Sequence, residues 1–193
     1  MRLLVIITVF VSGFANAQSY SENLEQERVS NNKQMRYQVL DSTERAGFKG
    51  ICYFPIDTNY VVDATFIRKK GKKFVMPMTT ERTVYYRQYG VLQFRIHDTL
   101  CELTVYENLG LKGKEYENYL FLPFRDGTTA LSTYGGGRYV DLEKQSGTDW
   151  EIDFNRAYHP YCVYSHRYSC PIPPKENTVL PFVTAGECYV TEE

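Results

Sequence analysis

Strand signals dominate the chain from Phe48 onward. Residues 60–67 are rich in β-branched and aromatic types, and the apolar run Phe74-Val75-Met76 follows the charged stretch Arg68-Lys69-Lys70-Gly71-Lys72-Lys73. A glycine-centred turn between two such runs predicts a hairpin. Residues 91–96 and 100–106 flank His97-Asp98-Thr99 and predict a second, clearer one. In its second arm Cys101, Leu103 and Val105 share one face, and Leu100, Glu102, Thr104 and Tyr106 share the other. Cys101 is therefore expected to be a buried core thiol. Residues 119–124 are apolar on both faces and read as a buried strand with Pro123 near its end. Trp150, Ile152 and Phe154 alternate with Glu151, Asp153 and Asn155, which places the first set in the core and the second on the opposite face. The last strands are expected at 179–183 and 188–190. Many short strands separated by turn signals predict a mainly β fold, an antiparallel barrel or sandwich.

The first 47 residues read differently. Arg2, the short apolar run Leu3-Leu4-Val5-Ile6-Ile7-Thr8-Val9-Phe10-Val11 and the small-residue pattern Ala15-Asn16-Ala17 predict a signal peptide over 1–17, cleaved after Ala17. The run is too short to remain as a membrane span, and no later segment is apolar enough for one. The expected location is secreted or periplasmic. Residues 18–47 are polar, and Leu24, Val29, Met35 and Leu40 are too sparse for a strong amphipathic stripe. They predict a partly helical or disordered, loosely attached leader, followed by a single β-rich domain over 48–193.

Charge changes the picture only by exclusion. A formal net charge of −1 over 193 residues gives no reason to expect nucleic acid as a partner. The lysine-rich run at 68–73 reads as a solvated turn that discourages edge-to-edge pairing, with polyanion binding as the functional alternative. All five cysteines (Cys52, Cys101, Cys162, Cys170, Cys188) follow the export signal, and an odd number leaves at least one unpaired within the chain.

Candidate chemistry concentrates in two tracts. Tyr134-Gly135-Gly136-Gly137-Arg138-Tyr139 puts three glycines before an arginine, so the backbone is free to bring amide N–H groups to an anion that Arg138 grips. It lacks the ending of a P-loop and the βαβ context of a dinucleotide site. The structural alternative is a tight turn leading into a strand, with Arg138 in an ion pair. The second tract, 153–177, holds two of the five cysteines, two of the three histidines and four of the eight prolines. It is expected to form a proline-braced loop. Cys162 and Cys170 are candidates for a disulfide, with a reduced buried pair as the alternative. His159, Cys162, His166 and Cys170 offer soft zinc ligands in a spacing that matches no standard finger, and a Cys–His nucleophile pair is a further reading. The prolines at 171, 173 and 174 fix the path of Glu176 and Asn177, either as a pocket wall or as a braced crossover.

Three motifs in this order, YGGGRYVDL, DFNRAYHPYCVY and YSCPIPPKEN, resemble the domain-of-unknown-function family 1684 (DUF1684), found in bacteria and archaea. Thr79-Thr80-Glu81-Arg82-Thr83, Tyr86-Arg87-Gln88-Tyr89-Gly90 and residues 119–126 resemble the same family, over roughly 48–186. The resemblance implies no activity. It marks Arg82, Tyr134, Gly135, Gly136, Gly137, Arg138, Asp153, Asn155, Cys162, Cys170, Pro171, Pro173, Pro174 and Asn177 as motif positions. His159 stands where the family pattern has asparagine, which weighs against the zinc and Cys–His readings.

Together these observations predict a domain that binds a small anionic or polar ligand. Arg82 and Arg138 would hold the anion, with Tyr134 and Gly136 in the glycine turn. Asp153 and Asn155 would enter from a strand face, and Glu176 and Asn177 would complete the wall. No cofactor or nucleophile motif appears, so an enzymatic form would be hydrolysis with a carboxylate as general base. The other reading is a non-catalytic envelope domain whose motif residues serve the fold and whose aromatic surface meets a protein or glycan.

Overall fold

Seven strands form one antiparallel sheet in the computed structural model, which describes residues 12–189, with side chains from Ser19 onward. They are β1 (Val61–Arg68), β2 (Lys73–Met76), β3 (Val84–Ile96), β4 (Thr99–Asn108), β5 (Tyr119–Phe124), β6 (Arg138–Glu143) and β7 (Asp149–Asp153). Their order is β6-β5-β4-β3-β1-β7, with β2 also paired to β3, and the sheet curls into a half-barrel. The apolar run of the expected signal peptide, and Val190 at the other end, lie outside the described residues.

β3 and β4 form the expected hairpin, closing through His97 and Asp98 where Ile96 pairs with Thr99. The hairpin expected at the lysine-rich turn does not form. β1 and β2 both pair with β3, β1 against residues 90–94 and β2 against residues 84–87. A bulge between Gln88 and Gly90 separates the two ladders, and the Gly71 N–H donates to the Gln88 carbonyl at the junction. The 13-residue β3 is long enough to seat both partners end to end, so neighbours in sequence need not pair with each other.

The sheet has two differently built faces. On one, Val62, Ala64 and Phe66 of β1, Leu92, Phe94 and Ile96 of β3, Leu103 and Val105 of β4, and Leu120, Leu122 and Phe124 of β5 form the main core. Cys101 is buried there, as its alternation implied. Phe66 stacks on Trp150 with centroids 4.1 Å apart. Its ring also lies over Gly90, where an added Cβ would come within 2.2 Å of it, so glycine at this position is required by the close approach. The other face carries Met76, Tyr86, Tyr106, Phe121 and Tyr139, with Tyr119 and Tyr158 packed beside them.

The leader is largely helical: α1 (Ser12–Gln34), which begins within the expected signal peptide, is followed by a π-helical turn (Met35–Val39) and α2 (Ser42–Gly47). Asp41 caps α2 by accepting the Thr43 and Glu44 N–H groups, while Glu44 accepts from the Asp41 N–H. Leu24, Met35, Val39 and Leu40 are buried, although Val29 is exposed. Met35, Val39 and Leu40 pack against Phe48, Ile51, Tyr161, Tyr164 and Tyr168, and polar bonds add to the docking. The Tyr20 hydroxyl donates to the Asp153 carboxylate, Glu27 pairs with Arg156, Asn32 accepts the Ile51 N–H and Arg36 donates to the Phe48 carbonyl.

Beyond Arg156 the described chain has only the 3-10 turn Tyr161–Val163 and isolated bridges, and the segments expected as strands, 179–183 and the described part of 188–190, run as loop. The described part of these segments satisfies its backbone groups against scattered partners. Val179 N–H donates to the Arg125 carbonyl, Cys188 N–H to Cys52 and Tyr189 N–H to Ser132. Cys188 forms a disulfide with Cys52, Cα–Cα 5.1 Å. The expected Cys162–Cys170 bridge is absent: both are thiols, with the Cys162 N–H donating to Cys170 Sγ at 3.3 Å.

Candidate functional site

The tyrosine face of the sheet is the floor of a cleft with a cavity volume of about 660 Å³. Tyr86, Tyr119, Phe121, Tyr139 and Asp141 line its floor, and the 158–171 loop and Met35 of the leader form its walls. Alternation along β6 explains the placement. Arg138, Val140 and Leu142 are buried toward the main core, and Tyr139 and Asp141 project to the other side. β5 does the same with Tyr119 and Phe121 against Leu120 and Leu122.

Asp141 is the polar centre of this face. The Tyr119 and Tyr158 hydroxyls both donate to its Oδ1 at 2.8 Å. The side chain is open to the cavity, yet protein surrounds it, as a concave site requires. Burial raises its pKa above the ordinary carboxylate value, opposed by the two tyrosine hydrogen bonds. Burial, reinforced by the Asp141 charge, likewise drives the Tyr119 and Tyr158 hydroxyls upward, so both remain protonated donors.

Of the eight residues proposed from the sequence to bind ligand, Arg82 alone lines this cleft. Arg138 is fully buried in the core. Its Nη1 donates to the Ala185 and Glu187 carbonyls and its Nη2 to the Val183 carbonyl, with Asp126 at 3.4 Å. Gly137 takes φ +92° with an added Cβ position 2.5 Å from the Phe124 carbonyl, so the glycine turn exists to deliver Arg138 inward. At Gly136 the Cβ position is covered by the Tyr134 ring, and the Tyr134 N–H is bonded to His159 Nε2.

The remaining candidates also brace the chain. Asn155 clasps Asp57 through both its N–H and its carbonyl, and Asn177 does the same to Thr104 while also donating to Pro123. Asp153 accepts from Tyr20, Arg156 and the Asn155 N–H. β7 ends at Asp153 and the 3-10 turn Phe154–Arg156 follows, so Asn155 does not continue a strand face with Asp153. Glu176 is exposed, with Tyr106 Oη at 3.4 Å.

A family model described as "Protein of unknown function (DUF1684)" matches residues 46–188. The chain belongs to the DUF1684 family. Among solved structures, this DUF1684 chain is similar to the solution NMR structure of an uncharacterized protein from gene locus rrnAC0354 of Haloarcula marismortui. The two are 32% identical with a TM-score of 0.69, over 91% of this chain and 97% of that one. Comparison with curated proteins returned no match.

The cysteine and histidine groups of this DUF1684 chain are turned to structural use. Burial and a hydrogen bond with Cys162 push the Cys170 thiol up to about 12, which keeps it protonated and a poor nucleophile near neutrality. His166 is exposed. Among the described residues no three His, Cys, Asp or Glu side chains converge as a metal site. His159 is buried, with Nε2 on the Tyr134 N–H and Nδ1 3.5 Å from Glu187. Glu187 also accepts from the His159 N–H and the Tyr164 hydroxyl.

This pair sets a pH response. Burial and the Arg138 charge hold His159 down at about 3, against an ordinary value of 6.5, so the unfolded chain takes up that proton first. Stability from His159 therefore falls as pH drops from about 6.5 to about 3. Burial raises Glu187 to about 7 from 4.5, so the folded chain takes up its proton first and stability rises as pH drops across that window. The two offset each other until Glu187 is spent. His159→Asn removes only the first effect. Its stability relative to the wild type should therefore climb as pH is lowered, when urea midpoints at pH 7 and pH 4 are compared. An identical gap at both values would mean that His159 is not held neutral.

Proposed function

We propose that this chain binds a small polar ligand in the tyrosine-lined cleft, with Asp141 as the anchor on its floor and Arg82 at its edge. The observation that carries this reading is Asp141 itself. A carboxylate held by two tyrosine hydroxyls and open to a cavity whose lining mixes aromatic rings with polar side chains is an arrangement of convergent polar groups in a concavity that suits a polar ligand. The catalytic form of the reading is hydrolysis with Asp141 as general base, the carboxylate that faces the cavity from its floor. Export to a secreted or periplasmic location is part of the proposal. The N-terminal Arg2, apolar run and Ala15-x-Ala17 pattern support it, as does the Cys52–Cys188 disulfide, which persists in oxidising compartments.

The competing reading, a non-catalytic envelope domain, draws on one specific observation: Arg138, Asn155 and Asn177 are all consumed by the fold. A thermal-shift screen of small polar compounds separates the two. Compounds that stabilise the wild type are expected to lose their effect on Asp141→Asn, whose unliganded melting temperature stays close to that of the wild type because the amide oxygen still accepts from both tyrosines. Compounds that stabilise both proteins equally would remove Asp141 from the site and favour the second reading.

A further inference from the structure

Resting on the cleft as the binding site, the charge of its ligand follows from what surrounds Asp141. Both phenolic protons go to Oδ1, and among the described residues no hydrogen bond reaches Oδ2. Among the described residues no salt bridge involves Asp141, and no basic side chain contributes to the balance that sets its protonation. Two arginines also line the cleft: Arg156 is committed to Glu27 and Asp153, and Arg82 stands exposed at the edge, with no hydrogen bond or salt bridge to Asp141 among the described residues. A carboxylate exposed to a concave cavity, with no cation of the protein beside it, attracts one from solution.

The surroundings suit an organic cation better than a metal. Tyr86, Phe121, Tyr139 and Tyr158 form a continuous chain of rings, with successive centroids 5.7, 4.7 and 5.6 Å apart. Aromatic faces present negative potential and bind ammonium groups carrying apolar substituents. A bare divalent ion would want several oxygen ligands, and this floor supplies one carboxylate beside phenols that already donate to it. We propose that the cleft takes an organic ammonium ligand, its charged nitrogen against Asp141 Oδ2 and its apolar part on the Tyr86, Phe121 and Tyr139 rings.

Three probes that share one ring and differ in charge test this: benzylammonium, benzyl alcohol and benzoate, titrated at pH 7 into the full-length protein by two-dimensional NMR. Benzylammonium is expected to bind about tenfold more tightly than benzyl alcohol, the order of effect that a carboxylate and ring faces give a desolvated cation. It should shift the resonances of residues 119–121 and 139–141. Benzoate should bind most weakly. In Asp141→Asn the benzylammonium advantage should disappear while benzyl alcohol binding persists. Tighter binding of benzoate, or equal binding of all three at these residues, would overturn the ammonium assignment and leave the cleft as the site. Shifts confined elsewhere, or absent with all three probes at millimolar concentration, would overturn the cleft reading itself.

Discussion

Arg138→Met is expected to unfold the domain or leave it about 3–5 kcal/mol less stable, the range for removing one partner from a buried charged network. Methionine fills much the same space but has no donors. The carbonyls of Val183, Ala185 and Glu187 would then be buried without partners, and Asp126 would lose its counter-charge. Asp126 is itself tied to the Val183 N–H and to Thr128, so the damage spreads along the C-terminal segment. For a domain of ordinary stability, about 5–15 kcal/mol, this is a large share. Urea unfolding measures it, with Arg138→Lys as a partner variant that keeps the charge but not the fork of donors. A variant as stable as the wild type that has merely lost ligand binding would show that the arginine serves a site, not the fold.

Removing the Cys52–Cys188 bridge is expected to have the next largest effect. The two cysteines lie 136 residues apart, and the chain-entropy argument for a loop of that size gives about 4–5 kcal/mol, with measured losses for native disulfides of about 2–5 kcal/mol. The bridge joins strands of chain already in register. The Phe54 N–H donates to Gly186, the Cys188 N–H donates to Cys52, and Tyr53 bridges to Glu187. The double variant Cys52→Ser/Cys188→Ser should therefore keep its fold and lose stability, and dithiothreitol should lower the urea midpoint of the wild type by a matching amount. Cys162→Ser should leave that sensitivity to reductant unchanged. Peptide mapping that links Cys162 to Cys170 and leaves Cys52 free would sink the assignment.

Strand periodicity made most of the sheet legible because every strand except β2 puts one face into the main core. Leu103 and Val105, Trp150 and Ile152, and the arms around His97 all sit where a period of two puts them. The leader was legible as partly helical, but not in how it docks: Met35, Val39 and Leu40 pack against Phe48, Ile51, Tyr161, Tyr164 and Tyr168, and Tyr20, Glu27, Asn32 and Arg36 bond to distant loops, which leaves too few apolar positions to form a stripe. The last segments misled in the opposite way: apolar residues at 179 and 183 are buried, but by a loop laid across the core rather than by a strand. The site was half legible. The β6 alternation already separates Asp141 from Arg138. However, an arginine after three glycines draws attention as a ligand group, whereas an aspartate within a strand does not. The signal that would have found the cleft is the tyrosines and phenylalanine at alternate positions on neighbouring strands: Tyr86, Tyr119, Phe121 and Tyr139.

The Arg138 socket also has a bearing on biosynthesis. Its donors emerge from the ribosome more than forty residues before its acceptors at 183–187. Until those residues arrive, a charged guanidinium has no low-energy home inside the half-formed barrel. The last segment is thus needed to complete the core, not merely to cover it. By the same logic, nonsense mutations or proteolytic clipping just upstream of residue 183 would act as core lesions, however close to the end of the chain they fall.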